Sequence, residues 1–109
     1  MAREVVWAPR ARSDARLALD YIQKDSPEAA KRFASALTAA ARSLAELSER
    51  GRVVPELDDP AVRELLLSRY RVVYEVFPDR VAILRIVHAS RDFLATWGRR
   101  ARPDESPRE

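Results

Sequence analysis

"RVVYEVFPDRVAILRIVH", residues 71–88, decides the fold. Two runs rich in β-branched and aromatic residues, 71–77 and 81–88, flank Pro78 and Asp79. Such runs on either side of a turn dipeptide read as two strands paired in a hairpin. A third run of the same character, "VRELLLS" at 62–68, comes just before them. "GRVVPELDDP", 51–60, holds Pro55 and Pro60 and reads as the loop leading into the strands.

Upstream the period changes from two residues to between three and four. Ala30, Phe33, Leu37, Ala40, Leu44 and Leu47 are spaced by alternating threes and fours. That spacing draws one apolar stripe down a helix from 27 to 49. Ser26 is placed to cap this helix, Pro27 suits its first turn, Glu28 favours its positive end, and Gly51 stands where it would stop. The stripe also fits a coiled-coil seam. It is rich in alanine and only about three heptads long, so packing on a sheet is the stronger reading. Ala11, Ala15, Ala18, Leu19 and Ile22 predict an earlier helix over 9–24, opened by Pro9. "DSP", 25–27, separates the two, so they form an antiparallel hairpin. "REVVW", 3–7, reads as a first strand. The order β-α-α-β-β-β predicts an α+β domain, with an N-terminal helical hairpin packed on a small, mainly antiparallel sheet. Residues 1–98 are the expected domain. Residues 99–109, "RRARPDESPRE", lack apolar periodicity and read as a disordered tail.

Composition narrows the function. The 109 residues are 47% hydrophobic, enough for a single core. Without cysteine, disulfides and thiolate metal sites are excluded, and one histidine makes a zinc site a poor prospect. No metal or cofactor is expected. No run approaches the roughly 18 apolar residues of a membrane span. "MAREVVWAPR" has no signal-peptide core, so the expected location is cytoplasmic. The net charge is +3, and of 20 basic residues only Lys24 and Lys31 are lysine. Arginine forks suit phosphates and carboxylates, but a GC-rich genome would enrich arginine everywhere. Each arginine is therefore argued by position. No basic stripe supports direct DNA binding, and Asp104, Glu105 and Glu109 offset most of the charge of Arg99, Arg100, Arg102 and Arg108.

The series "WAPRARSDARLALDYI", "SPEAAKRF", "RGRVVPEL", "VREL", "YRVVYEV" and "ILRIVHASRDF" resembles the RelE/ParE superfamily of type II toxin–antitoxin toxins, over residues 3–95. The resemblance implies a cognate antitoxin that neutralises the toxin and contacts operator DNA on behalf of the complex. It also implies one of two targets. RelE-like members cut messenger RNA on the ribosome. ParE-like members poison DNA gyrase and are not nucleases.

Attack by a ribose 2′-hydroxyl needs a base, an acid and cations on the phosphate. By resemblance, Arg71 and Arg91 match phosphate-contacting arginines, and Arg63 falls near a family lysine. A second lysine position is apolar here, and no tyrosine follows Arg91. An arginine stays protonated and makes a poor base. His88 is the remaining proton carrier, with Glu75 as a partner if the hairpin register allows. The plainer role for His88 is to end a strand and bond a backbone carbonyl or Asp92. Arg91 and Asp92 read as a rim salt bridge, Tyr70 and Tyr74 as packing under the helices, and Trp7 as core. Phe93, Leu94 and Trp97 form a short helical patch that either caps the sheet or meets the antitoxin. The missing proton carriers favour the ParE-like branch. The expected site then has no catalytic residue, with Arg71 and Arg91 contacting the target. The antitoxin is expected to lay an amphipathic segment over the first helix, part of the second and the patch of Phe93, Leu94 and Trp97, by helix-in-groove docking or strand addition. In the alternative endonuclease, Arg63, Arg71, His88 and Arg91 would serve. A third possibility is an inactive remnant acting only as the antitoxin's co-repressor.

Overall fold

The computed structural model describes residues 2–97, so the expected tail at 99–109 lies outside the described residues. The order is β1 (Glu4–Trp7), α1 (Pro9–Asp25), α2 (Pro27–Ser43), β2 (Arg52–Val53), β3 (Val62–Leu67), β4 (Tyr70–Val76), β5 (Arg80–His88) and α3 (Phe93–Trp97). This is the α+β arrangement that the apolar periods predict.

The five strands form one sheet in the order β1-β5-β4-β3-β2. β3, β4 and β5 are a meander of antiparallel hairpins, while β1 runs parallel to β5. The Pro78–Asp79 connection closes with the Phe77 N–H donating to the Arg80 carbonyl at 2.8 Å. β2 falls inside the segment expected to be loop, and pairs Arg52 with Glu64 and Val53 with Arg63. Two residues are too few to leave a strand period in the sequence.

One sheet face packs on the helical hairpin. Val72, Tyr74, Val81, Ile83 and Ile86 meet Ala11 and Ala18 of α1 and Phe33, Leu37 and Ala41 of α2. The alanines let the helix backbones approach the sheet closely. The Ser26 side chain caps α2 by accepting from the Ala29 N–H at 3.1 Å. The opposite face buries Val62, Val73, Leu84 and Val87 under Val54, Phe93 and Trp97.

α2 ends at Ser43, short of the expected 49. The N–H groups of Leu44, Ala45 and Glu46 bond three residues back, which tightens the chain into turns. Leu47 consequently faces solvent, with 58% of its surface exposed, and Ser48 is buried, accepting from Arg3 at 3.1 Å. Gly51 therefore does not terminate the helix. Its N–H donates to the Tyr74 hydroxyl at 2.9 Å, and a Cβ there would lie 2.5 Å from the Glu64 carbonyl oxygen. Close approach of two segments requires glycine here.

Candidate functional site

The two sheet faces carry two distinct polar constellations. On the face away from the hairpin, Glu64 of β3 is buried beside Arg71 of β4. Arg71 Nε donates to Glu64 Oε1 at 2.6 Å, and its two terminal nitrogens donate to both oxygens of Glu56 at 2.6 and 3.1 Å. Glu64 Oε2 accepts from Arg52 Nε at 2.6 Å. The Arg71 guanidinium also lies 4.3 Å from the centre of the Phe93 ring. The hydrogen bonds from Arg71 hold the Glu56 carboxyl below its usual range, and the same contacts raise the Arg71 pKa. Two arginines and two glutamates thus tie the 54–59 loop and α3 to the sheet. A phosphate approaching Arg71 has to displace Glu56 first. Arg63 lies on the same strand as Glu64 and donates to the Gly51 carbonyl at 2.9 Å.

The second constellation sits where the hairpin meets the ends of β4 and β5. The two-residue turn Ser68–Arg69 starts β4, and the register sets Tyr70 opposite His88. Tyr70 packs against Phe33 at 5.2 Å and edge-on to His88 at 5.0 Å. Burial raises the pKa of its hydroxyl, so at neutral pH Tyr70 offers a proton donor. His88 Nδ1 accepts from the Ser90 N–H at 3.1 Å and lies 2.8 Å from the Ser90 hydroxyl. This replaces the expected bond to a carbonyl or to Asp92. The Ser90 N–H thus occupies Nδ1 as an acceptor, and the part played by the Ser90 hydroxyl depends on the ring tautomer.

Glu75 and His88 do not meet. Glu75 pairs with Ala82, five residues along β4 from Tyr70, a separation of roughly 16 Å along an extended strand. Arg91 is exposed. Among the described residues it forms no ion pair with Asp92, whose Oδ1 instead accepts from the Ala95 N–H at 3.4 Å at the start of α3. Two open clefts, about 600 and 530 Å³, meet at Tyr21, Tyr70 and His88. The first is walled by Arg32 and Arg69, the second by Leu17 and Arg91.

Phe93 and Trp97 stack at 5.3 Å and are buried as a lid on the second core. Of the three residues in this patch, only Leu94 remains at the surface. The larger exposed apolar side chains near the clefts are Leu17 and Tyr21 on α1, at 67% and 65%. Sequence reasoning pointed to the first helix as an antitoxin surface without naming either residue, and it missed Asp14. Asp14 accepts from Arg85 Nε at 2.8 Å and from the Ile86 backbone N–H at 2.8 Å. The signal was present in "ILRIV", where an arginine inside a buried strand demands a carboxylate partner. Among the described residues no group of histidines and carboxylates gathers to hold a metal, and no helix is long and apolar enough to cross a membrane.

A family model described as the ParE toxin of the type II toxin–antitoxin system parDE matches residues 5–93. Toxin RelE2 of Caulobacter vibrioides is 45% identical over 89 residues, which cover 81% of this chain and 97% of the relative. A solved chain of the chromosomal ParDE TA system from P. aeruginosa shares the fold with a TM-score of 0.66 at 23% identity, over 82% of this chain and 98% of that one.

Proposed function

The chain belongs to the ParE toxin family of type II toxin–antitoxin systems, and from that premise we propose that it acts by binding DNA gyrase in the cytoplasm rather than by cutting RNA. A cognate antitoxin neutralises it, covering the exposed α1 surface around Leu17 and Tyr21 and reaching Leu94. Operator DNA is contacted through the antitoxin. Arg91 carries the target contact, and Arg71 contributes only when Glu56 is displaced.

The observation that carries this reading is the setting of the candidate proton carriers. His88 spends Nδ1 on Ser90 and has no carboxylate behind it, because Glu75 pairs five residues away along β4. General-base chemistry needs a free acceptor and a partner that orients the ring, and Nδ1 is already taken by the Ser90 N–H. The Arg71 guanidinium is engaged by two carboxylates.

The endonuclease reading keeps one specific support. Tyr70, His88, Arg69 and Arg91 line neighbouring clefts, a donor-and-cation set that could hold a phosphodiester. Two assays separate the readings. The purified chain is expected to inhibit supercoiling and trap double-strand breaks with gyrase, and to leave transcripts intact in primer extension on translating ribosomes. Codon-linked cuts that disappear in His88→Ala would overturn the proposal.

A further inference from the structure

No contact proposed above uses the α2 wall of the larger cleft. That cleft has a volume of about 600 Å³ and opens between the helical hairpin and the β3–β4 turn. α2 lines it with Ala29, Arg32, Phe33 and Ala36, whose spacing of three, one and three residues marks a single helix face. The two alanines keep that face low. Phe33 is buried and packs against Tyr70 at 5.2 Å, so the floor is aromatic. The turn wall is tight, with Ser68 in the left-handed region at φ 55°, and it carries Arg69 into the lining.

The polar groups of this cleft are unspent. Among the described residues, the side chains of Arg32 and Arg69 make no hydrogen bond or ion pair. The buried arginines differ, since Arg71 and Arg85 each hold carboxylates. Two free guanidinium forks suit a phosphate. Tyr21 stands exposed on α1, and among the described residues its ring meets no other ring. Its face is open to stack a planar group. Asp25, the last residue of α1, adds an exposed carboxylate to the lining. A carboxylate repels a bare anion but accepts from hydroxyls, as acidic residues do from ribose in nucleotide sites.

We propose that this cleft binds a free nucleotide as its 5′-monophosphate. Arg32 and Arg69 hold the phosphate, Tyr21 stacks on the base, and Asp25 accepts from the ribose hydroxyls. The volume falls within the roughly 300–1,000 Å³ of small-molecule sites. A phosphate monoester carries about 1.5–2 negative charges near neutral pH. Two arginines match that charge better than the single charge of each link in a nucleic-acid strand. Arg71 lies on the opposite face of the sheet and takes no part. The inference does not rest on which target the toxin attacks.

The test titrates adenosine monophosphate into the full chain by calorimetry, with the guanosine, cytidine and uridine monophosphates alongside. At least one of these probes is expected to bind with a dissociation constant of about 100 µM or tighter. Ribose 5-phosphate lacks the base and the matching nucleoside lacks the phosphate, and each is expected to bind at least about tenfold more weakly. Arg32→Ala and Arg69→Ala should each weaken the nucleotide about tenfold and leave the nucleoside unchanged. Tyr21→Leu should weaken the nucleotide about tenfold and leave ribose 5-phosphate unchanged. Amide shifts of the unaltered chain give a measure that needs no variant, and they are expected at Arg32, Phe33 and Arg69. Absence of binding by all four nucleotides at about 1 mM overturns the inference. Shifts centred on Arg71 do the same, as does inorganic phosphate binding as tightly as the nucleotide. An adenosine trinucleotide that binds more tightly through the same residues assigns the cleft to a nucleic-acid strand and overturns the free-nucleotide site.

Discussion

Tyr74 is fully buried, and its hydroxyl accepts the Gly51 N–H. Tyr74→Phe strands that buried donor and should cost about 1–3 kcal/mol in urea denaturation. Burial lifts the Tyr74 pKa above its ordinary value of 10.0, against a partial lowering by the Gly51 bond. The unfolded tyrosine then ionises first as pH rises. Stability is fully present below pH 10 and declines through the folded value, and Tyr74→Phe should shallow that alkaline slope. Glu56 works with the opposite sign. Its folded pKa lies below the ordinary 4.5, chiefly through Arg71, so its contribution is present above pH 4.5 and is lost as pH falls through the folded value. Glu56→Gln should flatten the acid limb of a thermal-melt profile, by a modest amount because the side chain is one-third exposed. At this scale the sequence was partly legible. The burial of Tyr74 follows from its place in an apolar strand. The role of Gly51 does not, because the crowding comes from Glu64 and Tyr74, far along the chain. Arg71 and Arg63 were visible as cations, but their carboxylate and carbonyl partners depend on strand register and loop path.

α2 is the element whose sequence pattern was strongest and whose end was least readable. Ala30, Phe33, Leu37 and Leu44 are buried as their spacing requires, and the stripe continues through Ala41 where the period suggested Ala40. Leu37→Ala should destabilise the chain by about 2–5 kcal/mol, since it empties the interface between hairpin and sheet. Ser26→Ala removes one cap bond and should cost about 1 kcal/mol. Denaturant midpoints of the two variants, at unchanged m-value, check both. The early stop at Ser43 is accompanied by one local bond and two long-range ones. The Ser43 hydroxyl donates to the Ala40 carbonyl at 2.7 Å, and Arg3 of the N-terminal segment reaches Ser48 and the Phe77 carbonyl. A local period carries no trace of a contact made 45 residues away.

For the whole molecule, the sheet separates two tasks. The face away from the hairpin is closed by its own charged network and by the Phe93–Trp97 lid. The hairpin side leaves apolar side chains on α1 in solvent, beside clefts with arginine walls. Converting Leu17 and Tyr21 together to glutamate should shift the melting temperature by no more than about 4–8 °C, because surface changes of this kind rarely exceed about 0.5 kcal/mol each, or about 1 kcal/mol together. The same double variant should weaken antitoxin binding by about a hundredfold or more, if two exposed apolar anchors are lost from an interface. Calorimetric titration reads the second effect and a melting scan the first. The fold class was legible because apolar period and turn residues agree from Arg3 to His88. The clefts were not, because they join α1, β4 and β5, whose relative placement is set by packing.

β5 carries one residue more than β4 between two of their pairs, since Tyr74 faces Ile83 and Val73 faces Arg85, leaving Leu84 as a bulge. The extra residue lets Ile83 and Ile86, three positions apart, share the face beneath the helices. Removing Leu84 would restore an uninterrupted alternation without moving a pair: Arg85 would still face Val73, Val87 would face Arg71 and His88 would face Tyr70. A one-codon deletion at this point is therefore gentler than one elsewhere in the strand, where side chains beyond the cut would change sides, and its main loss is the buried Leu84 side chain from the second core.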